Sequence, residues 1–146
     1  MEELVAVMTA IGGLLVFFWV ALLALLVVNI VSSIFIFKKM GLPGWWGIIP
    51  YWNVYNIYKM TWSVTPWFWV YLALFIAFYV FSGVVESVVA ILMLIMIFAM
   101  NLHQARAFGK DVGYCIGLTL LPVIFMPMLA FGSAQYVGNK SNTEQL

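Results

Sequence analysis

Few side chains in this sequence could do chemistry, and three of them sit in or beside long apolar stretches: Glu86, His103 and Cys115. Glu86 is the only acid inside an apolar block, and an ionisable group in hydrocarbon is costly enough to be a functional hypothesis by default. With Ser82, Gly83 and Ala90 on its face of a helix, it could line a proton or cation path. Against that, Ser82-Gly83 supplies a turn just before it, and an interfacial carboxylate solvated by water is the favoured reading. Asn29 is a second candidate polar position; with Ser32 and Ser33 it falls at i, i+3 and i+4, a shared face that ordinary helix packing accounts for. His103 could ligate the metal of a haem or chlorophyll or relay protons, but without a partner histidine, interfacial hydrogen bonding is preferred. Cys115 stands alone, so the chain has no internal disulfide and no Cys/His metal spacing. No metal or cofactor is expected, and nothing resembles a nucleophile beside its base, so no enzyme is expected either.

The elements that must position these residues are nearly all apolar. Of 146 residues, 66% are hydrophobic and 8% charged, against about 25% charged in a soluble domain. Six basic residues against five acidic leave no basic surface for nucleic acid. The composition implies an all-α integral membrane bundle in a cell membrane. It is read as about four transmembrane helices plus a Trp/Tyr-rich interfacial or re-entrant segment, with 1–138 one transmembrane domain and 139–146 a short polar tail.

The first apolar run, Leu4 to Phe37, lacks the basic n-region of a signal peptide and far exceeds its h-region of about 7 to 15 residues. It ends at Lys38-Lys39 and a Gly-Leu-Pro-Gly stop. Between Gly41 and Pro66 lie Trp45, Trp46, Trp52 and Trp62, with Trp67 just beyond, a density that marks headgroup level. Tyr51, Tyr55, Tyr58 and Trp62 recur on one side of a short amphipathic helix whose other side carries Asn53, Asn56 and Lys59. A straight helix over 67–100 would be about 50 Å long, too long for the usual tilt range of up to about 40°. It is therefore either a hairpin turning near Ser82 to Ser87 or one kinked, protruding helix. Tyr114 to Ala134 reads as a single span bent at Pro122 and Pro127. Gly109, Gly113 and Gly117 recur every four residues, a smooth face for close helix packing if the last helix begins near Gly109.

Lys38, Lys39, Arg106 and Lys110 lie in short connections while the N-terminus carries acids, so the positive-inside rule puts those connections in the cytoplasm and the N-terminus outside. Lys59 is cytoplasmic with a hairpin at 67–100 and outside with one long helix. Both parsings give four crossings and both termini on the non-cytoplasmic side.

Two stretches are alike: Met40-Gly41-Leu42-Pro43-Gly44-Trp45-Trp46 running to Pro50, and Phe108-Gly109-Lys110-Asp111-Val112-Gly113-Tyr114 running to Pro122. Each sets glycines and an aromatic at a helix start, then a proline in the apolar part, as in broken-helix repeats of transporters or a duplicated packing unit. The sequence resembles a family of small bacterial membrane proteins known only as a domain of unknown function, sometimes fused ahead of a signal peptidase I domain. The resemblance covers about residues 36–138 and rests on two groups of residues. The first is Lys39, Gly41, Pro43-Gly44-Trp45, Ile48-Ile49-Pro50, Asn53, Tyr55 and Lys59. The second is Ala107-Phe108-Gly109-Lys110, Gly113, Leu121-Pro122 and Gly132 to Tyr136. It implies membrane residence and no activity. A Ser/Lys peptidase does not follow from it, since this chain has no extramembrane domain to build that site. Where the family shows a second Gly-x-Pro-Gly-Trp, this chain has Trp62-Ser63-Val64-Thr65-Pro66-Trp67.

The function these residues favour is a non-enzymatic accessory or scaffold subunit in the lipid bilayer, packed against another membrane protein or itself. The alternative is a small transporter or channel using Glu86 and the Gly/Pro-broken helices.

Overall fold

The computed structural model describes residues 1–139, and among them the chain is all-α. The tail expected over 139–146 lies, from residue 140 on, outside the described residues. Six helices follow in order: α1 Glu2–Lys39, α2 Trp52–Thr61, α3 Trp69–Val80, α4 Val84–Ala107, α5 Val112–Leu120 and α6 Pro122–Phe131. A short 3-10 turn, Gly44–Gly47, precedes α2, and a helical turn over Val64–Phe68, with a cis Thr65–Pro66 bond, leads into α3. Two helices, α1 and α4, are long and apolar enough to cross a membrane; Val64–Val80 and α6 are apolar but shorter.

The long helices α1 and α4 end in the same way. At the end of α1 the Gly41 N–H donates to the Lys38 carbonyl and the Leu42 N–H to the Phe37 carbonyl; at the end of α4 Gly109 donates to Arg106 and Lys110 to Ala105. This is the paired bond pattern of a Schellman cap, which needs a left-handed residue after the helix. Gly41 and Gly109 supply it at φ 76° and 70°. The sequence similarity of the two stretches is therefore a duplicated helix stop, and Lys38 and Arg106 occupy equivalent places in it.

After each stop the chain turns back along the helix it has left. The 3-10 turn runs up α1: a Cβ on Gly47 would come within 2.9 Å of the Ser33 carbonyl, so only glycine allows this approach. The chain reverses at Pro50-Tyr51, where Tyr51 has φ 62°, and α2 returns. After Gly109, α5 likewise runs back beside α4, with the Asn101 amide donating to Thr119 Oγ1 at 3.1 Å, and reverses at Leu121.

Tyr114 to Ala134 is thus not one bent span. Leu121, at φ −133° and ψ 57°, breaks the helix, and Pro122 has no N–H for the Leu118 carbonyl. The two halves fold onto each other: Tyr114 Oη donates to the Phe125 carbonyl at 2.9 Å and their rings meet edge to face at 5.1 Å. Eleven residues of continuous helix would separate those residues by about 16 Å.

The block 67–100 is the hairpin of the two alternatives. α3 ends at Phe81, Gly83 turns the chain at φ 72°, and α4 returns against α3. Tyr71 and Phe75 of α3 meet Tyr58 of α2 and Tyr51 just before it, which sets Lys59 at the same end of the molecule as the ends of α1 and α4.

The core gathers at that end. Ile36, Phe37 and Met40 from α1 and its cap pack with Ile57, Ala107, Phe108, Leu129, Ala130 and Ala134. The last described residues stay there too, since the Val137 N–H donates to the Ala107 carbonyl at 2.8 Å. The N-terminus lies at the other end of α1. The second half of the chain runs out along α5 and returns along α6, so Ala134 lies beside Lys39.

Candidate functional site

The densest polar arrangement lies where α1, α4, α5 and α6 meet at this end. Lys39 Nζ donates to the carbonyls of Leu129, Gly132 and Ala134, each at 2.8 Å. These carbonyls are left over where α6 stops, and a cation there also meets the negative end of the helix dipole. Three donors on one ammonium meet three acceptors, which fills its capacity. Lys110, in the linker between α4 and α5, lies near enough for the two positive charges to repel. Its ammonium sits 5.6 Å from the centre of the Tyr114 ring, a cation–π distance. Asp111 beside it caps α5, its carboxylate accepting from the Tyr114 N–H at 3.1 Å. Arg106, in the last turn of α4, is exposed.

A second cluster is aromatic. The His103 ring stacks on Trp62 at 4.3 Å and 9°, and Trp62 stacks on Trp67 at 4.7 Å and 18°. Three segments, α4, the end of α2 and the lead into α3, are held by this stack, with the Asn139 amide donating to the Trp62 carbonyl. Beneath it Tyr58 is fully buried against Phe68 and Met96, and its hydroxyl has no hydrogen-bond partner among the described residues. Tyr136 closes the end: its hydroxyl donates to the Met60 carbonyl at 2.5 Å, its ring lies against Phe108, and burial pushes its phenol above the ordinary range.

The residues singled out in the sequence are not brought together. Glu86 is in the first turn of α4, where its charge suits the helix dipole. It stands twenty residues before Arg106, about 30 Å along the helix. Ser82 is exposed in the turn before it. Asn29 lies on α1, ten residues from Lys39 or about 15 Å, and donates to the Leu25 carbonyl of its own helix at 2.9 Å. Among the described residues no hydrogen bond joins these three.

His103 is taken up by stacking. Trp62 and Trp67 belong to its stack, Trp46 lies edge-on to Trp45 and Trp52, and Trp45 is exposed. The single glycine face is corrected as well, because α5 begins at Val112 and Gly109 stands outside it. Gly109 serves the turn, a Cβ on Gly113 would only touch Asp111 at 3.5 Å, and Gly117 alone is a packing glycine, its missing Cβ filled by the Phe125 ring.

Reading the sequence missed the Lys39 clamp, because a lysine after an apolar run is the ordinary sign of a helix end. The signal that could have found it is the identical Gly stop at 41 and 109, which implies that both helices turn back and bring their ends together.

The family whose sequence pattern matches is described as a family of unknown function (DUF5684), over residues 45–139. No curated protein and no solved structure matches the chain.

Proposed function

The chain belongs to this family of unknown function, its match covering well over half of the sequence, and from that premise we propose that it is a multi-pass membrane protein acting as a non-enzymatic accessory or scaffold subunit. In this reading α1, the Val64–Val80 segment that includes α3, and α4 make three crossings, and the Gly44–Thr61 and α5–α6 segments enter from the basic side without crossing. The fourth crossing expected from the sequence is given up because α5–α6 returns. The positive-inside rule then puts Lys38, Lys59, Arg106, Lys110 and the last described residues in the cytoplasm and the N-terminus outside.

The observation that carries the subunit role is the mismatch of α1. Its 38 residues make a helix of about 57 Å against a hydrocarbon thickness of about 30 Å. At a tilt of about 40° it still spans about 44 Å. Its buried residues, Ser32, Ile36 and Phe37, all lie in the last quarter. Leu4, Val5, Val7, Met8 and Ile11 are exposed and would stand outside the hydrocarbon core, at headgroup level or beyond it. An exposed apolar helix surface there suits contact with another protein.

Native mass measurement after mild detergent extraction tests this, comparing the wild type with Leu4→Ser/Met8→Ser/Ile11→Ser. Wild type in a defined oligomer or complex, lost in the variant, is the expected result. A monomer with no co-purifying protein in both would overturn it.

A small transporter or channel is the alternative, favoured by two re-entrant segments entering from one side, since such backbone is tolerated at membrane depth where it lines a cavity. Flux in liposomes that falls in Glu86→Gln supports it; equal or absent flux in both proteins removes a Glu86 pathway.

A further inference from the structure

The neck of the α5–α6 hairpin concentrates positive charge that forms no ion pair among the described residues. Lys39, Arg106 and Lys110 come from the ends of two helices and the linker that follows the second. Of the four acids among the described residues, Glu2 and Glu3 begin α1 and Glu86 begins α4, all at the far end. Only Asp111 lies at the neck, and it is engaged in capping α5. Lys39 spends its three donors on the carbonyls of Leu129, Gly132 and Ala134, which fixes its charge in place and leaves it no hydrogen for an outside ligand. Lys110 and Arg106 are not so occupied: Lys110 rests over the Tyr114 ring, and Arg106 is exposed with a planar fork of donors suited to a phosphate.

The like charges of Lys39 and Lys110 repel, and an anion between Lys110 and Arg106 would relieve that repulsion. At this end of the molecule, on the membrane reading given above, the nearest anions are lipid headgroups, and basic clusters beside membrane helices attract them at about 1 kcal/mol per residue. The two helix-stop glycines fix the depth. The residues just before Gly41 and Gly109, Met40 and Phe108, pack in one core cluster, and Arg106 lies about 30 Å of helix from Glu86, one hydrocarbon thickness away. That is where the phosphodiester of the inner leaflet lies.

We propose that Arg106 and Lys110, at the neck of the α5–α6 hairpin, bind the phosphodiester headgroup of an anionic glycerophospholipid. The guanidinium takes two phosphate oxygens, and the lysine ammonium takes a third contact from the Tyr114 side. Acyl chains lie against the exposed apolar surface of α5, which includes Ile116 and Leu120. Lys39 adds attraction without contact.

This rests on the membrane reading, and the experiment separates the two. The full chain in mild detergent is titrated with phosphatidylglycerol or phosphatidylcholine of identical acyl chains and lipid adducts are counted by native mass measurement. In parallel the chain is floated with neutral phosphatidylcholine vesicles. We expect several-fold more phosphatidylglycerol than phosphatidylcholine bound, with Arg106→Gln/Lys110→Gln reducing it to the phosphatidylcholine level. Lys38→Gln/Lys59→Gln, equal in charge change and at the same end of the molecule but outside the Arg106–Lys110 pair, should retain most of the excess, and Arg106→Lys should retain part of it. Equal binding of the two lipids overturns the proposal, as does an excess that survives the neck variant, one that both double variants abolish equally, or displacement of the lipid by inorganic phosphate alone. Flotation with neutral vesicles reads out the membrane assignment by itself: a chain that floats yet shows no anionic preference refutes the lipid site only.

Discussion

Lys39 Nζ donates a 2.8 Å hydrogen bond to the Leu129 carbonyl, tying the end of the first helix to the last turn of the sixth across 90 residues of sequence. The bonds to Gly132 and Ala134 extend this tie to the segment that follows α6. Lys39→Met keeps the aliphatic stem and removes all three bonds. Hydrogen bonds to charged groups contribute about 1.5–3 kcal/mol each and are not additive, so a loss of about 2–4 kcal/mol is expected. Lys39→Arg should recover only part, because a planar fork cannot converge on three carbonyls. Thermal unfolding in detergent checks both, and a Lys39→Met midpoint equal to wild type would refute the clamp.

Gly117 and Phe125 set the closeness of the α5–α6 hairpin. A methyl at residue 117 would occupy the space of the Phe125 ring, so Gly117→Ala should cost about 1–3 kcal/mol as an overpacked contact. Gly113→Ala, with Asp111 at ordinary contact distance, should change stability by less than about 0.5 kcal/mol. Gly117→Ala with Phe125→Leu should be less destabilised than the sum of the two, which a double-mutant cycle measures. Equal effects at 113 and 117 would restore a continuous glycine face.

What the sequence made legible was composition and punctuation. Apolar runs without charge give α1 and α4, and Gly41 and Gly109, each beside basic residues, mark where they stop. The return of the chain after those stops was not legible. A stretch such as Tyr114 to Ala134 has the apolar content and length of one crossing, and the proline at its centre is as compatible with a bend as with a reversal. The decision falls to contacts far apart in sequence: Lys39 with α6, and Tyr136 with Met60. Likewise the periodicity of Gly109, Gly113 and Gly117 is real in the sequence, but Asp111 begins the helix two residues after Gly109, so the period has no common helix to act on.

His103 acts in a stack with Trp62 at 4.3 Å. Aromatic pairs contribute about 0.5–1.5 kcal/mol beyond the area they bury. His103→Ala should therefore lower stability by about 1 kcal/mol or slightly more, while His103→Phe, which keeps a flat ring, should stay near wild type. A ligand or proton-relay role gives the opposite pattern, with Phe as damaging as Ala. Unfolding midpoints of the two variants, together with an absorbance spectrum for any bound pigment, decide between them.

The path of the chain makes a definite prediction for the sides of a membrane. Cys115 is fully buried, so the native thiol should stay unlabelled in the folded chain, and single cysteines can be introduced at Glu2, Lys59, Glu86 and Asn139. Glu86 begins α4 and Glu2 begins α1, whereas Lys59 and Asn139 lie near the ends of those helices, beside Met60 and Trp62. A membrane-impermeant thiol reagent added outside intact cells should label cysteines at Glu2 and Glu86, and should label those at Lys59 and Asn139 only after permeabilisation. The informative position is Asn139. If α5–α6 crossed as one bent span, Asn139 would label from outside with Glu86, and the hairpin closed by Tyr114 and Phe125 would be wrong. If Lys59 alone moved to the outer group, the α3–α4 turn at Gly83 would fail instead, while the α5–α6 hairpin stood.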